Sequence, residues 1–306
     1  MMDGFLNIYK PAGISSFDAV KIVLKEILGG KKSEKRVKIG HAGTLDPMAE
    51  GVLVLAVNRA TKLISYVQQQ NKTYHATFLL GVESDSEDTE TELRHLPHPP
   101  IPTQAEIEAI FPEFLGEILQ RPPQYSAIKI QGKRAYKLAR QGKQAELPLR
   151  KITIHHLEIL RYEYPTLALS IQCSSGTYVR SLGRDMGQKL GTGAVMSALT
   201  RTAVGIFRQE DALEIQPNSS LRALSRKPCL EYLRPLLDAF PDARKIVYDT
   251  ENQRRLICGI PVFWPESTDW LPQERVVVLR PTGEFLAVVH ATSEGLRSDV
   301  HLGGAK

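Results

Sequence analysis

One carboxylate in the chain sits where chemistry could be done. In KIGHAGTLDPMAEGVLVLAV, residues 38–57, Asp46 follows Gly43-Thr44-Leu45 and precedes Pro47. Glycine permits positive φ or close backbone approach and proline fixes the exit of the chain, so this segment reads as a shaped loop. Leu45 and the apolar run GVLVLAV anchor it to a core. A carboxylate held this way is either a preorganised nucleophile or an Asx-turn residue that keeps the loop in shape. The loop alone favours the turn.

Other reactive constellations are missing. There is no GxxxxGKS/T phosphate loop, no GxGxxG opening a βαβ unit, no HExxH, no HxE followed by PCxxC, and no GxSxG. His155-His156 falls in an alternating run, where one ring points in and the other out, which argues against a metal pair. Cys173, Cys229 and Cys258 are scattered without zinc-ligand spacing and read as reduced, half-buried thiols. What remains is a carboxylate-centred site, or no site.

The elements that must position Asp46 follow from periodicity. GFLNIY (4–9) reads as a strand. Ser15 offers an N-cap to a helix carrying Phe17, Val20, Leu24, Ile27 and Leu28. KKSEKRVK (31–38) reads as an exposed basic loop, and GVLVLAV (51–57) as a strand buried on both faces. A helix through Thr61–Gln69 and a strand over 72–82 follow. ESDSEDTETE (83–92) reads as a solvated acidic loop. Thr103 and Glu106 match a capping box ahead of a short helix to Phe111. Residues 116–150 read as strand, loop, short helix, loop; 151–162 and 166–174 as paired strands. Val179, Leu182, Met186 and Leu190 share a helical face. Beyond about residue 235, VYDTENQRRLICGIPVFWP and ERVVVLRPTGEFLAVVHA read as short strands separated by turns, with a hairpin turn at RPTGEF (280–285).

The chain has 306 residues, 42% hydrophobic and 24% charged, enough for one large domain and a small one. No run approaches the roughly 20 apolar residues of a membrane span. MMDGFLNIYKPAG lacks the plan of a signal peptide, so a soluble cytoplasmic protein is expected. The net charge of +5 is unevenly spread: residues 1–72 hold 11 Lys/Arg against 6 Asp/Glu, 121–190 hold 13 against 4, and 83–120 hold 1 against 10. That pattern fits either a polyanion-binding face or ordinary solvated surface.

Six segments carry a resemblance: KPAGISSFDAV (10–20), GHAGTLDPMAEGVL (40–53), KTYHATFLLGVESDSEDTE (72–90), RPPQYSAIKIQGKRAYKLARQG (121–142), CSSGTYVRSLGRDMGQKLGTGA (173–194) and LTRTAVG (199–205). In this order they closely resemble the bacterial tRNA pseudouridine synthase B family, which isomerises uridine 55 in the tRNA T loop. The resemblance covers roughly residues 3–210. It implies an α+β fold: a catalytic domain over 1–235 built on a mixed, mostly antiparallel sheet flanked by helices, and a small C-terminal β-rich, PUA-like RNA-binding domain over 236–306. Residues 121–150 correspond to an insertion that clamps the tRNA.

The resemblance also assigns residues. Asp46 matches the catalytic aspartate, which attacks C6 of uracil or C1′ of ribose or starts a route through a glycal. Arg180, in GTYVR, matches the arginine that ion-pairs with it. Tyr74, in KTYH, matches the tyrosine that stacks on the target base and is a candidate general base; base stacking is worth about 1–3 kcal/mol. Tyr178 matches a second pocket tyrosine and Leu199 an apolar pocket wall. His41 matches a histidine that contacts RNA around the extruded base. Lys10, in KPAG, shapes the site or contacts phosphate. Lys129, Lys133 and Arg134, with Arg121, Lys137, Arg140 and Lys143, suit the RNA backbone. The implied partner is the tRNA T stem-loop, with no obligate protein partner and a monomeric enzyme, and the implied reaction needs no metal and no redox cofactor.

Three rival functions differ in what they ask of these residues. A non-catalytic RNA-binding or tRNA-folding protein needs the basic faces but not Asp46, Tyr74 and Arg180 together. A guide-directed synthase acting on another RNA fits the bacterial pattern less well. An aspartate-dependent glycosidase needs a second pocket carboxylate, and Asp88 and its acidic neighbours read as solvated.

Overall fold

The structure is a computed structural model that describes residues 3–28, 37–126, 128–130, 133–139, 141, 146–215, 221–222, 229–263 and 274–302. Strand β1 (Gly4–Lys10) leads into helix α1 (Ser16–Ile27), capped by Ser15, whose side chain accepts from the Asp18 amide at 3.1 Å. Most of the basic loop expected over 31–38 lies outside the described residues. Then come β2 (Ile39–His41) and β3 (Glu50–Val57). The helix expected through residue 69 is half 3-10 (Asn58–Leu63) and half α, as α2 (Ile64–Gln69). Strand β4 (Lys72–Leu80) follows, then the short pair β5 (Val82–Glu83) and β6 (Arg94–His95). Helix α3 (Gln104–Ile110) has both halves of the Thr103–Glu106 capping box.

Strand β7 (Gly116–Gln120) precedes a hairpin of β8 (Lys129–Ile130) and β9 (Lys133–Arg134), and helix α4 (Ala135–Ala139). The chain continues through β10 (Arg150–Glu163), β11 (Thr166–Cys173), α5 (Val179–Leu190), β12 (Ala194–Val204), β13 (Phe207–Arg208), β14 (Leu213–Ile215) and β15 (Leu221–Arg222). These build one eleven-stranded sheet in the order β15-β14-β1-β3-β12-β4-β11-β10-β7, with β13 beside β12 and β2 beside β3. Only the β1–β14 and β3–β12 pairs are parallel, so the sheet is mixed and mostly antiparallel, as expected.

Strand β3 lies near the centre and is buried on both faces. Leu53, Leu55 and Val57 join the core formed with α1 and α5; Val52, Val54 and Ala56 face the opposite way, toward Phe207 and Phe240. The second core continues into a four-stranded sheet: β16 (Lys245–Val247), β17 (Arg275–Leu279), β18 (Phe285–Thr292) and β19 (Gly295–His301), with Val277 and Val288 packed toward α2. The turn at 280–285 is present, with the Arg280 amide donating to Glu284 at 2.8 Å.

Two expectations need correction here. Residues expected as strand and turn contain helix α6 (Thr250–Ile257). Its N-cap is Asp249, which accepts from the Asn252 amide at 2.8 Å, and Gln253 and Leu256, three residues apart, are its buried face. His155 and His156 do not alternate in and out. A bulge between Ile154 and His156 breaks the period, and both residues are exposed.

Candidate active site

Asp46 is held by bonds to its neighbours' backbone. Ser16, buried at the start of α1, joins its hydroxyl to the Leu45 amide (2.9 Å) and carbonyl (3.0 Å). The Gly13 amide donates to the Pro47 carbonyl at 2.8 Å, and the Asp46 carbonyl accepts from Ala49 at 3.0 Å. Gly43 has φ of +124°, where a side chain would be strained. The loop therefore keeps its shape through backbone groups, leaving the Asp46 side chain to a different task. Oδ2 lies 3.1 Å from Arg180 Nη2, and the carboxylate is 39% exposed, open to the cleft.

Arg201 is the residue that sequence reasoning missed at this loop. It is 2% exposed, on β12. Its guanidinium donates to the carbonyls of Val52 (2.8 Å), Gly43 (3.1 Å) and Thr44 (3.3 Å), so one side chain ties loop, β3 and β12 together. Gly51 makes the approach possible: a Cβ there would lie 2.3 Å from the Arg201 carbonyl oxygen. A lone arginine inside the apolar run AVMSALTRTAV was the available signal.

Arg180, on the first turn of α5, is buried between two carboxylates. Besides Asp46, its Nη1 donates to Asp88 Oδ2 and to the Ser86 carbonyl, each at 3.0 Å, and its Nη2 to the Tyr125 carbonyl at 3.0 Å. This overturns the solvated reading for Ser86, Glu87 and Asp88, while Asp85, Thr89, Glu90 and Glu92 are exposed as expected. Ser86 and Asp88 are each 1% exposed and Glu87 8%. The Ser86 hydroxyl and the Glu90 amide donate to Asp88 Oδ1. Glu87 pairs with Arg184 and accepts from the Ser181 hydroxyl at 2.7 Å. Burial raises the Glu87 pKa, with Arg184 opposing it. The acidic composition misled because the matching cations lie about ninety residues later, on α5.

Tyr74, Tyr178 and Leu199 converge on the same cleft, which has a volume of about 520 Å³ and is also lined by Asp46, Lys72, Tyr125, Arg180 and Arg201. That volume is in the usual range for small-ligand sites. Tyr74 is buried on β4; burial raises its phenol pKa, while the Arg201 guanidinium beside it pulls the other way. Tyr178 stands at the N-cap of α5. Its amide and carbonyl are both held by the Gln120 side chain, at 2.9 and 3.0 Å, and burial raises its phenol pKa too.

Lys72 stands at the cleft wall, donating to the Gln68 and Gln70 carbonyls at the end of α2; burial, then Arg201, lower its pKa to about 8. The other wall residues from α2 are Ser65, Gln68 and Gln69.

The remaining expected residues fall outside this cleft lining. His41 ends β2, five residues before Asp46, with its pKa lowered by burial and then by Arg201. Lys10 is fully buried. Its ammonium donates to the Pro11 and Ile14 carbonyls, both at 2.8 Å, and reaches Pro47 at 3.5 Å. Of its two expected roles, loop shaping fits and phosphate contact does not, since no part of the ammonium faces solvent. The side chains of Lys129, Lys133 and Arg134, and those of Lys137, Arg140 and Lys143, lie outside the described residues. Among the described residues no cluster of three or more His, Cys, Asp or Glu is arranged for a metal, and no helix is long and apolar enough to cross a membrane.

Residues 27–179 match the TruB family pseudouridylate synthase N-terminal domain, and residues 180–238 the tRNA pseudouridylate synthase B C-terminal domain. The chain belongs to the TruB family. A tRNA pseudouridine synthase B of Dehalococcoides mccartyi is 39% identical over 295 residues, covering 96% of this chain and 94% of that protein. One from Clostridium novyi is 44% identical over 261 residues, covering 85% and 86%. A chain of the Cbf5-Nop10-Gar1 crystal structure superposes with a TM-score of 0.72 at 24% identity, over 98% of this chain and 84% of that one. That likeness places the whole arrangement, including the C-terminal sheet, in the pseudouridine synthase fold.

Proposed function

We propose that the protein isomerises uridine 55 in the T loop of tRNA to pseudouridine, with Asp46 as nucleophile. The observation that carries this reading is the Asp46–Arg180 pair, 3.1 Å apart, at the opening of a cleft walled by Tyr74, Tyr178 and Leu199. The tRNA substrate is taken from the names of the relatives. A uridine inside a folded loop must be flipped out to enter such a cleft, which costs a few kcal/mol. Tyr74 stacks on the extruded uracil and offsets part of that cost.

In the reaction the C1′–N1 bond breaks, the uracil turns within the cleft, and C5 joins C1′. The proton on C5 leaves and N1 gains one, so no electron is gained or lost. Asp46 forms the transient adduct or withdraws a ribose proton, and Arg180, 3.1 Å away, fixes where its carboxylate points. Tyr74 is the proposed base. Burial disfavours its phenolate and raises its pKa, and the neighbouring Arg201 is the charge that offsets part of this.

The reading also divides the chain into a catalytic unit over 1–235, with 121–150 clamping the tRNA, and an RNA-binding unit over 236–306. It takes the enzyme to act as a monomer in the cytoplasm, where tRNA is. The test is release of tritium from tRNA labelled at C5 of uridine. Wild type releases it; Asp46→Asn is slower by at least about 10⁴-fold, the scale of losing a nucleophile. No release by wild type, or equal release by the variant, rejects the reading.

A further inference from the structure

Helix α2 stands between the C-terminal sheet and the cleft. On the cleft side it contributes Ser65, Gln68 and Gln69. On the other side the C-terminal segment grips it and the 3-10 turn before it. Arg59 donates to the Leu302 carbonyl and Lys62 to the His301 carbonyl, both at 3.2 Å. The Tyr66 and Phe240 rings lie 4.7 Å apart, and the Gln70 amide donates to the Ala239 carbonyl at 3.1 Å.

One contact reaches a cleft residue directly. Arg275 Nη1 donates to Gln69 Oε1 at 3.2 Å. Arg275 is itself oriented: its guanidinium lies 5.4 Å from the Tyr66 ring centroid and 3.7 Å from an Asp299 carboxylate oxygen. A guanidinium can only donate. The Gln69 atom facing it must therefore be the oxygen, which fixes the amide and leaves its NH₂ as the end that can donate to another group.

We propose that Arg275 is a positioning residue that orients Gln69, so that the Gln69 NH₂ donates to an acceptor of the RNA, a phosphate or base oxygen, beside the target uridine. The inference rests on the RNA substrate proposed above. It gives the C-terminal sheet a part in shaping the cleft, separate from any contact of its own with RNA.

The test measures affinity for a T stem-loop RNA in the full chain carrying Asp46→Asn, which blocks turnover. Gln69→Ala and Arg275→Ala each weaken binding about 3- to 5-fold, as expected for one hydrogen bond. The double variant is no weaker than either single, because both remove one contact. Gln69→Glu keeps an oxygen toward Arg275 but has no NH₂, so it binds no better than Gln69→Ala. Arg275→Lys recovers most of the affinity. Thermal melting of each variant identifies misfolding, and Arg275→Lys then supplies the comparison.

Losses that multiply in the double variant overturn the proposal, as does a change in the salt slope of about 0.7 with Arg275→Ala, the mark of a direct phosphate contact. Undiminished binding by Arg275→Ala, or no binding by the parent, overturns it too. Tritium release by the chain with native Asp46 is scored separately, so failure of the reaction and failure of this contact give different results.

Discussion

The Asp46 loop and the α2 wall face each other across one cleft, and they are held in opposite ways. The loop is fixed from below by buried groups: Lys10 reaches the Pro47 carbonyl, Arg201 takes those of Gly43 and Thr44, and Ser16 takes Leu45. Gln69 is held from outside by Arg275, whose side chain is 51% exposed. Buried charge-assisted bonds are strong and hard to break, while exposed ones exchange readily with water. The difference suits the tasks proposed for them. A nucleophile gains from being fixed before substrate arrives, whereas a wall that meets a macromolecule gains from some freedom to adjust.

If that contrast is right, the largest effects come from the buried side. Arg180→Met removes the partner of Asp46 and leaves Asp88 buried without a cation. Tritium release should fall by at least about 10²–10³-fold, and stability by about 3–5 kcal/mol, the scale for breaking a buried pair. Adding Asp88→Asn removes the stranded charge. Urea denaturation should then recover part of the stability, while activity stays lost. Recovery of both would mean that Arg180 acts only as a strut.

Arg201→Met tests the loop without touching Asp46. Three carbonyls lose their donor, at a cost of about 3 kcal/mol, or a fall in Tm of roughly 5 °C for a chain of this length. The Asp46 carboxylate would also lose its fixed aim, so turnover should fall by more than RNA affinity does. An Arg201→Met enzyme with native kcat would show that the loop needs no support from β12, and the contrast between the two walls would fail.

How much of this was legible from sequence depends on where the partner lies. The β3 run, the Ser15 cap and the Thr103 capping box were readable because their determinants sit within a few residues. Asp46 was conspicuous locally, but its loop alone favoured a turn; the Arg180 that pairs with it is 134 positions away by the numbering. Asp88 and Glu87 were misread for the same reason. Their composition says solvent, and only α5 explains their burial. Helix α6 was missed because an eight-residue amphipathic stretch beside valine-rich strands carries little period of its own. Arg275 and Gln69 meet across 206 positions, where no local pattern could reveal them.

The smallest expected effect concerns Lys10, the most deeply buried cation under the loop. Burial, then Arg201, lower its pKa from 10.5 to about 8. The unfolded chain therefore holds a proton on this amine between about pH 8 and 10.5 that the folded chain releases. Stability from this group rises with pH across that window and is lost as pH falls back through 8. Lys10→Met removes this pH dependence together with the bonds to Pro11 and Ile14. The variant melts lower at every pH, and the gap below wild type should widen between about pH 8 and 10.5. A gap that stays constant would mean the amine keeps its proton, so that the loop rests on a permanently charged lysine and its bonds alone.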